Sequence, residues 1–220
     1  LSLVNKSDSY KDVWLTETNP EEIISKVEKL RFIKHQLIGS DSVYKPTPSE
    51  VAALSFYKNN ISHIFILYSL ICESVRYVGK ISKEDLYALI EMIYPVISRE
   101  YFLQSSHIEK EEIDNSLKTL LEEGVLISKE PGSYCKPSRN DDHFDKYSSL
   151  CNICEPSVKR FYIAMSVLWN QNNISKEKLQ TDCDLIAKEL ERLEGWPYPE
   201  FSDKTKFSNF IELLINERYI

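Results

Sequence analysis

The sequence predicts an all-α, predominantly helical fold with at most one small β-hairpin, near 125–136, and a winged-helix-like centre. Three observations carry that expectation. Apolar residues recur at spacings of three and four along most of the chain, the period of one helix face. Helix-start signals punctuate it: Asn19-Pro20-Glu21-Glu22 and Thr47-Pro48-Ser49-Glu50 put a capping side chain and a proline ahead of acidic residues. All five glycines fall just after a helical pattern or in one turn, where helices end.

Taken in order, residues 1–17 show no period and read as a lead-in, with a short strand at 13–15. The first helix opens at Asn19-Pro20, carries Ile23, Val27, Leu30, Ile33 and Leu37 on one face, and ends at Gly39. A loop over 40–46 precedes a short helix through Val51, Leu54 and Lys58. The most apolar run follows, an organising block over 55–78 closed by Gly79. Ser82 with Asp85 opens a further helix on Leu86, Leu89, Ile90, Ile93 and Ile97, with a kink or break near Tyr94 because Pro95 lies inside it. A helix over 109–123 ends at Gly124, and 125–127 and 134–136 form a hairpin around Glu130-Pro131-Gly132-Ser133. Residues 80–136 thus read as the winged-helix-like unit. Its helix is acid-rich, so it is not a DNA reader. The polar stretch 137–145 reads as a linker between an N-terminal helical part, 1–136, and a C-terminal one, 146–220. The latter carries a long helix kinked or split at Pro156, with Val158, Phe161, Tyr162, Met165, Leu168 and Trp169 on one face. Ser175 caps the next helix, whose seam is Leu179, Cys183, Ile186, Leu190 and Leu193. Ser202 or Asp203 caps the last helix, on Phe207, Phe210, Ile211 and Leu214.

The chain has 220 residues, 42% hydrophobic and 28% charged, with a net charge of −7. A chain this long buries roughly 70% of its unfolded surface. The acidic balance argues against nucleic acid as a partner, since phosphate binding needs a basic field. Five cysteines at irregular spacing, without a secretory signal, read as reduced thiols. The start at Leu1 reads as processing or as a piece of something longer.

The organising block places Ile61, Ile64, Phe65, Tyr68, Ile71, Cys72 and Val75 on one helical face. Its apolar part, 61–72, is short of the roughly 20 residues a bilayer span takes. It reads as a central core helix, with a re-entrant or interfacial helix as the alternative. Its front end carries Tyr57, Lys58, Asn59, Asn60 and His63. Asn59 or Asn60 fits a cap for the helix that follows, with His63 in its first turn. A substrate or interdomain contact is the competing reading.

Cys135, His143, Cys151 and Cys154 make a nominal zinc set, since Cys151-x-x-Cys154 has ligand-like spacing. Both cysteines fall in a helical pattern, where residues three apart share a face by default. The expectation is no zinc and no cofactor. Nucleophile elbows, phosphate loops and metalloprotease helices are not in the sequence. From the residues alone the chain reads as a helical module that names no reaction.

Tyr57-Lys58-Asn59-Asn60-x-x-His63-x-Phe65 resembles the Tyr-(Arg/Lys)-Asn-Asn-x-x-His-x-Phe segment of bacterial membrane-bound glycerol-3-phosphate 1-O-acyltransferases. Residues 93–103, IYPVISREYFL, resemble that family's Leu-Tyr-Pro-Phe-Leu-Lys-Ala-Glu-Leu/Tyr-Phe-Leu stretch. Residues 156–162, PSVKRFY, resemble a Thr-Leu-Gln-Arg-Tyr segment through Arg160 and Phe161. Residues 195–204, GWPYPEFSDK, resemble Gly-x-x-Ala-Pro-Glu-Phe-Phe-Asp-Lys through Pro199, Glu200, Phe201, Asp203 and Lys204. The order agrees across nearly the whole chain and points to the carboxy-terminal part of the family.

The resemblance implies a parent enzyme on the cytoplasmic face of the bacterial inner membrane. It would acylate position 1 of glycerol 3-phosphate from acyl-CoA or acyl-carrier protein, with an upstream catalytic domain of the same protein as this segment's partner. Candidate substrate or interdomain residues are Tyr57, Lys58, Asn59, Asn60, His63, Arg160, Asp203 and Lys204. The family's His-x4-Asp pair, a general base and its orienting carboxylate, is not in this chain. The residues five beyond the four histidines are Ser40, Tyr68, Glu112 and Ser148. The segment alone is therefore expected to be inactive. The rival reading is a free-standing helical interaction module.

Overall fold

A computed structural model describes residues 19–39, 41–171, 173–194, 201 and 204–218. The expected lead-in over 1–17, with its strand at 13–15, and the cap at Ser202 or Asp203 lie outside the described residues. The chain divides between Ile64 and Phe65 into two compact units.

In the first unit, helix α1 (Pro20–Lys29) begins as the sequence signals. Asn19 Oδ1 accepts the Glu21 N–H at 3.0 Å, and Pro20 opens the helix. It stops ten residues later, at Leu30, because Arg31 takes a φ of 63°, the left-handed conformation that closes helices. The chain then turns into a hairpin of β1 (Ile33–Ile38) and β2 (Asp41–Pro46), paired from Ile33 opposite Pro46 to Ile38 opposite Asp41. Gly39, φ 65°, sits in the connecting turn. Thr47 clamps the base of the hairpin: its N–H donates to Phe32 O at 3.0 Å and its hydroxyl to Arg31 O at 3.1 Å. A 3₁₀ turn (Pro48–Glu50) leads into α2 (Val51–Ser62). The Phe32 ring meets Tyr57 of α2 edge-on, with centroids 6.4 Å apart.

This hairpin corrects the all-α expectation. The structure is mostly helical, with 11% strand in two small antiparallel sheets of two and three strands. The sequence reading carried the first helix on to Leu37 because Ile33 and Leu37 are four apart. Four is also a multiple of the strand period of two, so Ile33, His35 and Leu37 share one face of β1 equally well.

A 3₁₀ turn (His63–Phe65) carries the chain across the boundary, with His63 and Ile64 in the first unit and Phe65 opening the second. Helix α3 (Ile66–Val78) follows and buries nine of its thirteen residues. Gly79, φ 84°, ends it. Strand β3 (Lys80–Ser82), α4 (Lys83–Glu100), α5 (Lys110–Glu122), β4 (Ile127–Glu130) and β5 (Ser133–Cys135) complete a three-stranded sheet of order β3-β5-β4. The expected hairpin near 125–136 is thus two strands of a three-stranded sheet. Lys80–Ser82 is too short to show a period in the sequence, and it becomes a strand by pairing with β5, Ile81 opposite Tyr134.

Helix α4 runs through Pro95 without a break, and α6 (Phe144–Asn170) runs through Pro156 as a single 27-residue helix. Helices α7 (Lys176–Glu194) and α8 (Lys204–Asn216) close the chain. Helix α3 is the hub: α4, α5, α6, β3 and β5 all pack on it, and α7 packs on α6 and α8. Ser69 of α3 reaches into the α6 backbone. Its hydroxyl donates to Leu150 O at 2.6 Å and accepts the Cys154 N–H at 3.0 Å.

Some apolar residues of the expected faces are exposed: Ile61 is 55% exposed, Tyr162 and Trp169 are exposed, and Ile186 and Leu193 lie outside the α7 seam that Leu179 and Cys183 do bury. Periodicity marks a candidate face, but a partner must be present to cover it. The run Phe56–Val78 has the length and hydropathy of a membrane crossing, yet from Ile66 to Val75 it is core helix.

Candidate functional site

The polar block at the head of the organising run belongs to α2 and the 3₁₀ turn. Tyr57, Lys58 and Asn60 are exposed on the last turns of α2, and His63 is half-buried in the turn. Asn60 caps no helix. The residue ahead of α2 is Glu50, and the one ahead of α3 is Phe65. Asn60 stands mid-turn instead, and the Asn59 side chain lies outside the described part. Lys58 lends its carbonyl to the Ser62 hydroxyl at 2.7 Å. Tyr57, Lys58 and Asn60 are exposed, and among the described residues the buried apolar side chains begin at Ile66.

Polar chemistry inside the second unit is concentrated on the seam between α3 and α6. Glu73 is fully buried. Its Oε1 accepts from Arg76 at 2.6 Å, while its Oε2 has no hydrogen-bond partner. Burial pushes the Glu73 carboxyl up to about 7, against the pull of Arg76. Arg76 also meets Glu155 Oε1 of α6 at 2.8 Å, and Lys159 reaches the same oxygen at 2.9 Å. The Asn152 amide completes the cluster, its nitrogen donating to Glu155 Oε2 at 3.2 Å. Two carboxylates and two cations therefore alternate along the seam.

Arg160, one turn further, is 3% exposed. It pairs with Glu100, the last residue of α4, and donates to Ser157 Oγ at 3.1 Å. Tyr101 donates its hydroxyl to Ile153 O at 3.1 Å beside them. The sequence reading singled out Arg160 and missed its partner. A signal was present: Glu100 and Arg160 fall in two separate stretches that each resemble the same family. Charges inside an apolar run, Glu73 and Arg76, are a second signal. Asp203 lies outside the described residues, as does the Lys204 side chain.

Three thiols line the same seam. Cys72, Cys151 and Cys154 are buried, and burial raises all three, Cys151 to about 12. They are protonated at neutral pH and poor nucleophiles. Cys135 lies on β5, and no group of three His, Cys, Asp or Glu side chains that could hold a metal ion occurs among the described residues.

His35 and His143 are engaged locally. His35 bonds Ser42 Oγ at 2.5 Å and tilts onto Tyr44 across the hairpin. His143 pairs with Asp141 at 2.9 Å on the surface. His107, five before Glu112, is exposed, and Glu112 turns back to the Glu109 N–H in a capping box. A shallow cleft of about 380 Å³ lies between α4, α5 and β5. Its Lys83 and Asp114 are paired at 2.8 Å, and Tyr87 donates to the same carboxylate at 2.5 Å. The seam can hold helices in register. It offers no base beside a nucleophile.

Comparison with known proteins supplies what the geometry does not. The family model of the glycerol-3-phosphate acyltransferase C-terminal region matches residues 2–220. A glycerol-3-phosphate acyltransferase of Pseudomonas putida (strain W619) is 29% identical over 220 residues, 99% of this chain and 26% of that protein. Relatives of the same name from Pseudomonas fluorescens (strain Pf0-1) and Pseudomonas aeruginosa (strain UCBPP-PA14) are 28% and 27% identical, over 98% and 100% of this chain and 26% and 27% of theirs. The chain thus spans about a quarter of the length of the curated relatives it matches. No solved structure matches it. With its whole length matched by one family model, this chain belongs to the glycerol-3-phosphate acyltransferase C-terminal region family.

Proposed function

We propose that this chain is the C-terminal helical region of a glycerol-3-phosphate 1-O-acyltransferase. The parent makes lysophosphatidic acid from glycerol 3-phosphate and an acyl thioester, acyl-CoA or acyl-carrier protein, for phospholipid synthesis at the cytoplasmic face of the bacterial inner membrane. The observation that carries the reading is the family match over 2–220, against relatives of that name about four times as long. The region has no His-x4-Asp dyad: its one spaced carboxylate, Glu112, is spent on a helix cap. Without a positioned base the glycerol hydroxyl is a weak nucleophile at neutral pH. Catalysis is therefore assigned to the upstream domain, and the block Tyr57, Lys58, Asn59, Asn60 and His63 to contact with that domain or with substrate. Lys58 serves a partner carboxylate or the substrate phosphate.

The test compares acyl transfer to glycerol 3-phosphate by the isolated 220-residue chain and by the full-length protein. The expected result is turnover from the full-length protein only, and wild-type turnover from the isolated chain overturns it. In the full-length protein, Asn60→Ala is expected to lower kcat at unchanged stability, because Asn60 is exposed here. Normal turnover in that variant removes the block from the mechanism.

A further inference from the structure

Among its described residues, the first unit has apolar side chains but none that is buried. Among the described residues, every buried apolar side chain lies at Ile66 or beyond, and only Thr47 and Ser62 are buried before it. Helix α1 is amphipathic, with Ile23, Val27 and Leu30 on one stripe, yet it buries no residue. Leu37 and Ile38 at the hairpin tip are 67% and 51% exposed, and Phe56 of α2 is 63% exposed. Leu30, at the helix end, is 68% exposed. The hairpin is nonetheless fully registered, and its base is clamped by Thr47. A regular two-stranded hairpin is marginal in water without a hydrophobic face packed on something. An ordered scaffold that displays such a set of side chains marks an interaction surface.

We propose that α1, the β1–β2 hairpin and the outer face of α2 form the docking face for the remainder of the same polypeptide, the part that carries the chemistry. This rests on the acyltransferase reading above. About three quarters of the length of each matched relative lies outside the stretch this chain covers, so a large covalently attached partner is at hand. Charge points the same way. Acidic and basic residues nearly balance over 19–64, which gives neither the polybasic field that holds a protein on anionic lipid nor one for nucleic acid. What these elements offer is exposed aliphatic and aromatic side chains with polar ones beside them, the residue types of an interface's apolar core and polar rim. The residues that carry the contact are Leu30, Leu37 and Phe56, with the polar block of α2 beginning beside Phe56 at Tyr57.

The test uses the full-length protein in its native membrane. A benzophenone amino acid replaces Leu37 or, separately, Phe56, and photo-adducts are mapped by mass spectrometry. Adducts within the same polypeptide, to peptides outside the 220 residues, are expected. Adducts to lipid, or to a second copy of the chain, overturn the proposal. So does rapid labelling of Leu37→Cys by a water-soluble maleimide in the full-length protein, which shows the face to be open. Turnover is assayed on the same preparations, so the two readings fail separately. Intrachain adducts without acyl transfer keep the docking face and sink the acyltransferase reading. Acyl transfer with an open face does the reverse.

Discussion

Helices α1 and α3 both show good apolar periodicity, and they meet opposite fates. Helix α1 has a capped start, acidic residues in its first turn and basic ones in its last, and buries nothing. Helix α3 has no side-chain cap and buries nine of its thirteen residues, a serine pair and a glutamate among them. Local signals decide where a helix starts, and each is worth about 1 kcal/mol or less. Whether its apolar face becomes core depends on what else the chain brings there. Five helices and strands converge on α3, some from far along the chain: Ser69 bonds Leu150 and Cys154, 81 and 85 residues away. Within the first unit, β1 is the main neighbour of α1.

The largest test of that contrast is electrostatic. Arg160→Ala leaves Glu100 without its cation in the second unit, and the expected loss of stability is about 3–5 kcal/mol. Replacing both partners by apolar residues, Arg160→Met with Glu100→Leu, is expected to recover most of it. Denaturant titration of the 220-residue chain checks both, and equal losses in the single and double variants would show that packing, not the pair, is at stake.

Next in size is the apolar comparison itself. Ile71, fully buried in α3, is expected to cost about 2–5 kcal/mol as Ile71→Ala. Leu37→Ala, in the exposed hairpin, is expected to stay within about 0.5 kcal/mol in the same chain. Similar costs at the two sites would break the comparison. A large cost at Leu37 that appears only in the full-length protein would sharpen it.

Glu73 gives a pH-dependent version. Its folded-state value, about 7, lies above the ordinary 4.5 because burial penalises the charged form. The folded state therefore holds its proton more tightly than the unfolded chain. The stability this contributes is complete below about pH 4.5, is lost as pH rises towards 7, and changes no further above it. Its full size is on the order of 3 kcal/mol. The difference in unfolding free energy between wild type and Glu73→Gln, measured from pH 4 to 8, is expected to fall with rising pH. A difference that is flat, or that rises, refutes the assignment.

The smallest effect belongs to the first unit. Asn19→Ala removes the cap on α1 and is expected to cost about 1 kcal/mol of local helix stability. Amide exchange should speed up in Pro20–Lys29 and leave α3 unchanged. Faster exchange in α3 would mean that the two units unfold together.

The sequence by itself determined the helix starts at Asn19-Pro20, at Ser82, whose hydroxyl accepts the Asp85 N–H, and at Ser175, whose hydroxyl accepts the Lys178 N–H. Those are contacts between residues two or three apart, so the order of residues encodes them. It also determined family membership, through motifs legible one residue at a time. Only the tertiary structure decided that Ile33–Ile38 is a strand, because a four-residue spacing suits both periods and pairing with Asp41–Pro46 breaks the tie. Only it decided that Glu73 is buried and that Arg160 finds Glu100, 60 residues away. Burial and charge pairing are set by which distant surfaces meet, and that information is spread over the whole chain rather than held at any one position.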